Sequence, residues 1–221
     1  MRHVWALLQI VLPWPIKRRI GKAFFGWDVH PTAFIGRSVV IVKKLTMGPG
    51  AVIGPQNAIK FLEELSMGES ASIGSRNKII GFPPGTEQFK HLPNRNPSLV
   101  MGRFAVLTVG HEVDCSDRVE LGDFASVGGF NTTILTHSLD LVRNRFGAGP
   151  VLIGERSAVM SNCMILSGND VPARSVVSAG SVINTKLTKE LTFYRGNPAE
   201  AVRELPPTLK FFTREGHVGA N

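Results

Sequence analysis

Residues 153–183 read IGERSA-VMSNCM-ILSGND-VPARSV-VSAGSV-I, with an aliphatic residue at Ile153, Val159, Ile165, Val171, Val177 and Ile183. A strict six-residue period fits neither an amphipathic helix nor a simple alternating strand. It marks a chain that turns a corner every hexad, so that three hexads close one triangular coil of a parallel β-helix. The aliphatic residue points into the prism, and the small or polar residues after it form the corner. Working backward, the same beat runs through Val127, Leu121, Val113, Leu107 and Met101. It continues through Ile79, Ile73, Met67, Ile59, Ile53, Met47, Ile41 and Ile35.

Grouping the beats by threes gives Ile35/Ile41/Met47, Ile53/Ile59/Met67, Ile73/Ile79/Met101, Leu107/Val113/Leu121, Val127/Thr133/Ile153 and Val159/Ile165/Val171, with a partial coil at Val177/Ile183. The breaks, 59 to 67, 79 to 101, 113 to 121 and 133 to 153, all fall between the second and third step of a coil. The extra residues therefore leave from one edge of the prism, where loops on a rigid scaffold carry function. Four residues after each first-face aliphatic stand Val39, Asn57, Asn77, His111, Asn131, Cys163 and Ser181. Side chains stacked at a strand spacing of about 4.8 Å can hydrogen-bond along such a column. The expected fold is all-β: about seven triangular coils over 31–187, an apolar and basic extension over 1–30, and a tail over 188–221 with a short helix near Pro206–Arg214.

Composition agrees with one narrow domain: aromatic residues make up 8% and glycine occurs 23 times. Two cysteines, Cys115 and Cys163, fall in different coils, which argues against a disulfide framework and points to a reducing, cytoplasmic compartment. The formal charge of +8 fits an anionic small molecule or a membrane surface. No aromatic-basic module or helix-turn-helix pattern supports nucleic acid, and no His or Cys spacing supports a metal site. The run Val4–Leu12 is too short to span a bilayer and has no cleavage site of a secretory signal. Two readings of the extension remain open. It either caps the first coil or packs on a partner subunit, or it lies on a membrane surface through its tryptophans and Lys17, Arg18 and Arg19.

The loop after Thr133 carries Ile134-Leu135-Thr136-His137-Ser138-Leu139-Asp140. It resembles the Thr-His loop of the hexapeptide-repeat acyltransferases, such as the maltose and galactoside O-acetyltransferases. Ile153-Gly154-Glu155-Arg156, Ala179-Gly180-Ser181-Val182 and Gly196-Asn197-Pro198-Ala199 follow in that family's order. With His111-Glu112-Val113-Asp114-Cys115, the whole chain is similar to acyltransferases of surface-polysaccharide biosynthesis. The resemblance implies a left-handed coil, a homotrimer with sites between subunits, and acetyl-CoA as donor to a sugar hydroxyl.

It also implies roles for residues. His137 is the general base, and an imidazole suits that role because its ordinary pKa lies near neutrality. In the hexad register Asp117 stands one strand from His137, so Asp117 and Asp140 are the candidates to orient the ring; a backbone carbonyl is the third option. His111 is either a member of the polar column or, with Asp114, a contact for acceptor hydroxyls. Ser161, Ala179, Gly180, Thr185, Lys186 and Arg203 match the family's CoA contacts. Glu200 stands where the family has a second basic residue, which weakens the expected phosphate end of that site. The insertion 81–98 leaves from the same edge as the His137 loop, either as a cover for a neighbouring subunit's site or as a plain surface loop. Transfer to an amino sugar nitrogen is an alternative within the enzyme class, and a noncatalytic β-helical scaffold is the alternative outside it.

Overall fold

The computed structural model describes residues 2–219. The hexad beat becomes three columns of inward aliphatic side chains, each on a ladder of short parallel strands. The first face stacks Ile35, Ile53, Ile73, Leu107, Val127, Val159 and Val177. The second stacks Val40, Ile59, Ile79, Val113, Ile134, Ile165 and Ile183. The third stacks Met47, Met67, Met101, Leu121, Ile153 and Val171. All of these side chains are buried in one continuous core. Burying an aliphatic side chain of this size contributes about 1.5–3 kcal/mol, so a one-residue slip that turned a column outward would cost several such terms.

Two beats depart from the hexad count. Val40, not Ile41, enters the core, because the first coil turns its first corner one residue sooner than the next. Ile134, not Thr133, enters on the fifth coil, because Ser126–Phe130 carries an extra residue and its register with Val106–Val109 shifts after Val127. Gly129 takes φ +71° in that irregularity, and a Cβ there would lie 1.8 Å from Ser161 Oγ. Only glycine accommodates both the backbone and the contact.

The polar column is a chain of hydrogen bonds in which each side chain accepts the amide of its successor. Ser38 Oγ accepts from Asn57 N, Asn57 Oδ1 from Asn77 N, Asn77 Oδ1 from His111 N, His111 Nδ1 from Thr132 N, and Thr132 Oγ1 from Cys163 N. Ser38 and Thr132 thus take the places that strict counting gives to Val39 and Asn131. The column satisfies backbone donors that the corners would otherwise bury without partners.

Helix α1 (Arg2–Val11) and helix α2 (Trp14–Phe25) close the open end of the first coil. Gln9 imitates a neighbouring strand: its Oε1 accepts from Val40 N at 2.9 Å and its Nε2 donates to Val40 O at 3.0 Å. Lys17 is buried and donates to the carbonyls of Ile35 and Gly36 at 3.0 and 2.5 Å. Burial, and secondarily Arg37, bring its pKa down to about 8. Trp5 and Trp27 seal the junction, with Trp5 stacked on Phe25. At the other end Thr192–Arg195 adds to the first-face ladder and places Tyr194 under Val177, so the parallel sheet runs on beyond residue 187. Glu200–Glu204 then folds back antiparallel, and helix α3 (Lys210–Thr213) follows.

Candidate active site

The longest segments outside the hexads leave the corner between the second and third faces, and two of them meet there. One is the hairpin of His137–Asp140 against Arg145–Ala148. The other is the insertion from Gly81 to Pro97, which ends where Ser98–Met101 rejoins the third face. His91 Nε2 lies 2.9 Å from the Phe146 carbonyl, fastening the insertion to the hairpin of the same chain.

Asp114 is the hub of this corner. It follows Val113, which pairs with Ile134, so its carboxylate faces the turn from Leu135 to His137. Asp114 Oδ2 accepts from His137 Nδ1 at 2.8 Å, His137 N at 3.1 Å and Thr136 N at 2.9 Å. Asp114 Oδ1 accepts from Ser116 Oγ at 2.5 Å and Ser116 N at 3.1 Å. Burial pushes this carboxyl upward, but hydrogen bonds from His137 and Ser116 more than reverse that and leave its pKa below the usual value. The same bond to Asp114 raises the His137 pKa above that of an ordinary imidazole, against an opposing effect of burial. A carboxylate on Nδ1 fixes the proton there and leaves Nε2 with a free lone pair. This is the tautomer a general base needs.

Neither Asp117 nor Asp140 reaches the imidazole. Asp117 Oδ1 accepts from Asn96 N and Arg118 N, tying down the end of the insertion, while its own amide donates to Thr136 Oγ1. The extra residue before Ile134 shifts the count by one, which brings Ser116 level with His137, and the Asp114 side chain, level with Leu135, reaches across the turn to the imidazole. Asp140 caps the hairpin turn, accepting from Val142 N, Arg143 N and Arg143 Nη1. Asp114 thus orients the ring, a different place from the acceptor contact expected of it. His111 is fully inside the prism. Its Nδ1 accepts from Thr132 N and its Nε2 lies 2.9 Å from Thr108 Oγ1. Burial holds its pKa at about 4, so it is a neutral column member with no face toward an acceptor.

Three phenylalanines present their rings around the His137 imidazole: Phe82, Phe89 and Phe146, with centroids 6.2, 6.4 and 5.5 Å away and planes nearly perpendicular to it. Arg95, almost wholly buried, braces Phe82 and Phe89, and Phe146 stacks on Phe89. Its guanidinium lies 4.3 Å over Phe89 and donates to the carbonyls of Phe82, Pro83 and Ser116. The hexad pattern gives no sign of these contacts, because the insertion has no period; its Pro-rich composition marks only a loop. A cleft of about 200 Å³ opens on the outer side of the second face, lined by Lys78, Ile80, Phe82, Glu112, Val113, Asp114, Thr133 and Leu135. It reaches the imidazole's partner Asp114 and its neighbour Phe82, while His137 itself is not in the lining.

The residues matched to CoA contacts do not form one cluster. Ser161, Ala179 and Gly180 stand on the corner between the first and second faces, where Gly180 N donates to Ser161 O. Thr185 and Lys186 follow Ile183 at the opposite corner, the one that bears His137 two strands earlier in the ladder. Arg203 lies on the final antiparallel strand with its guanidinium 5.4 Å over Phe193. Both Cys115 and Cys163 are free, buried thiols, and burial raises the pKa of each. Among the described residues no group of three or more His, Cys, Asp or Glu is placed to hold a metal.

No family model matches the chain. A protein of Bacillus subtilis (strain 168), named "Putative acetyltransferase YvoF", is 30% identical over 96 residues, covering 43% of this chain and 54% of its own. The chain therefore spans about half the length of this curated relative. Among solved structures, a variant of AntD, an N-acyltransferase from Bacillus cereus in complex with dTDP-4-amino-4,6-dideoxyglucose and coenzyme A, superposes with a TM-score of 0.59. It does so at 14% identity over 72% of this chain and 83% of AntD. AntD with dTDP and 3-hydroxybutyryl-CoA gives 0.58 at 12% identity, over 87% of this chain and 90% of that one. At these identities the likeness is one of fold: the chain is built on the same β-helical frame as AntD.

Proposed function

We propose that the chain is a CoA-dependent acyltransferase of the hexapeptide-repeat type that moves acetyl from acetyl-CoA to a hydroxyl of a sugar or sugar-containing precursor in surface glycan biosynthesis. One observation carries this reading. His137 is held by Asp114 through Nδ1, which leaves Nε2 without a hydrogen-bond partner among the described residues, and Asp114 itself stands in the wall of an open cleft. In the reaction Nε2 takes the proton of the acceptor hydroxyl as its oxygen bonds to the thioester carbonyl carbon. The carbon–sulfur bond then breaks, and the imidazolium returns the proton to the departing CoA thiolate. The raised pKa of His137 suits that return.

The donor lies along the C-terminal coils in this reading, with Ser161, Ala179 and Gly180 at the pantetheine arm and Thr185, Lys186 and Arg203 toward the phosphates. Those residues lie on different corners of two successive coils and on the antiparallel strand that follows, a spread that a homotrimer of left-handed prisms with sites between neighbours would accommodate. AntD acts on nitrogen, so an amino sugar acceptor is the second reading. The test is acetyl-CoA with a panel of glycosides and amino sugars, read by free thiol and product mass. Mild alkali separates the outcomes, since an acetyl ester is lost and an amide survives. Absence of CoA binding and of transfer to any acceptor leaves the noncatalytic scaffold.

The proposed setting is the cytoplasm, at the inner face of the membrane. No described helix is long and apolar enough to cross a membrane. Helices α1 and α2 nevertheless leave Val4, Leu7, Val11 and Phe24 exposed beside the basic Arg18, Arg19 and Lys22. An apolar stripe flanked by cations fits the surface of an anionic bilayer. Removing these helices would uncover the first coil, so the test replaces Leu7 and Val11 by Glu in the full chain. The native chain is expected to sediment with phosphatidylglycerol vesicles and the double variant to stay in solution. Equal recovery in the supernatant refutes the membrane reading.

A further inference from the structure

We propose that Phe82 sets acceptor specificity by offering its ring to an apolar, uncharged face of the acceptor, a single ring of pyranose type. This rests on the acyl-transfer reading above and adds the residue that selects the substrate. Among the described residues, Phe82 is the aromatic residue that both lines the cleft and flanks the imidazole; Asp114 is the polar one. It keeps 39% of its surface exposed although two other rings and a buried arginine crowd its loop. An exposed phenylalanine normally collapses onto its neighbours. Here Arg95 pins its carbonyl, and that of Ser116, which fixes the backbone that presents the ring to the cleft.

The rest of the lining narrows the ligand. Ile80, Val113 and Leu135 give the cleft an apolar floor. The only cation in the lining, Lys78, lies 3.5 Å from Glu112, and Asp114 adds a second carboxylate, so the lining is net negative and disfavours an anionic acceptor. About 200 Å³ equals the liquid volume of roughly seven waters, enough for one substituted ring and too little for an oligosaccharide. Pyranose rings carry axial C–H bonds on one face, and such a face packs on an aromatic ring while the hydroxyls at its edge remain free. One of those edge hydroxyls would then lie at the end of the cleft formed by Phe82 and Asp114, the two lining residues next to His137. Contacts of this kind with an aromatic ring are worth about 0.5–1.5 kcal/mol beyond area burial, which corresponds to roughly a two- to tenfold change in affinity.

The test uses methyl β-D-galactopyranoside, methyl β-D-glucopyranoside and the methyl glycoside of glucuronic acid. Saturation-transfer NMR measures binding and thiol release from acetyl-CoA measures turnover, for the native chain and for Phe82→Ala and Phe82→Trp. The expected result is a native preference for the neutral glycosides, a several-fold rise in acceptor KM with little change in kcat for Phe82→Ala, and recovery in Phe82→Trp. Circular dichroism melts of the variants should match the native chain because the ring is partly exposed. Unchanged KM in Phe82→Ala while the native chain turns over refutes the role of Phe82 and leaves acyl transfer standing. Binding of neutral glycosides that depends on Phe82, without any turnover, sustains the role of Phe82 and refutes acyl transfer. Binding of the glucuronide equal to that of the neutral sugars, or no binding of any glycoside, refutes the proposal itself.

Discussion

Replacing His137 by Ala is expected to slow acyl transfer by ~10²–10⁴-fold, the usual contribution of a positioned general base, while CoA still binds. The pH dependence separates this from a loss of packing. Protonated His137 cannot accept the acceptor's proton, so the native rate should rise with pH and level off above the His137 pKa. That midpoint lies above 6.5, because the bond to Asp114 raises it. Asp114→Asn removes the charge that favours imidazolium, so the midpoint should fall even as the plateau drops. Asp117→Asn and Asp140→Asn should leave the midpoint in place, since neither carboxylate touches the ring. Initial rates of thiol release between pH 5.5 and pH 9 read all four variants. A midpoint unmoved in Asp114→Asn would show that the Asp114–His137 pair does not govern catalysis.

How much of this was legible in the sequence can be traced residue by residue. A six-residue repeat records where side chains turn inward, and most of the three columns follow from it directly. It also places every long segment on one corner, because an insertion can only enter where the hexads break. Its failures are both slips of one residue. At Ile41 the first coil turns its corner early, and at Thr133 the extra residue around Gly128 and Gly129 displaces the count. A period of six has no way to announce either, since both neighbours of a buried position are often aliphatic or small.

The second slip had a chemical consequence. Counting by hexads sets Asp117 beside His137, whereas the displaced register sets Ser116 there and leaves the ring within reach of the Asp114 side chain. The Thr-His pair is legible as a resemblance, but its contact with Asp114 is made by the fold of the turn from Leu135 to His137, which no period encodes. The phenylalanine surround was not legible at all. Phe82, Phe89 and Phe146 come from two aperiodic segments separated by two coils, and only the closed structure brings them within 6.4 Å of one imidazole.

His111 gives the second large effect, on stability. The folded state holds its imidazole neutral, with a pKa near 4 caused by burial, against 6.5 for the exposed side chain. Between those values the unfolded chain binds a proton that the folded chain refuses, so stability falls as pH falls. A gap of this size corresponds to about 3 kcal/mol at roughly 1.4 kcal/mol per unit. The shifts of the other two groups act elsewhere. His137, raised, adds stability that is complete below 6.5 and is lost as pH rises through its folded value. Asp114, lowered, adds stability that is lost only below 3.8. The interval from pH 6.5 to pH 4 therefore isolates the column. His111→Asn should retain the column, since an Asn Oδ1 can accept from Thr132 N just as Asn77 Oδ1 accepts from His111 N. That variant should lose most of the acid dependence while keeping its stability at pH 7.5. His111→Ala should lose stability at every pH by about 1–3 kcal/mol, because it leaves the buried Thr132 amide unpaired. Urea midpoints at pH 7.5, 6.0 and 4.5 distinguish the three chains. If the native chain and His111→Asn show the same acid dependence, His111 is not the group that titrates.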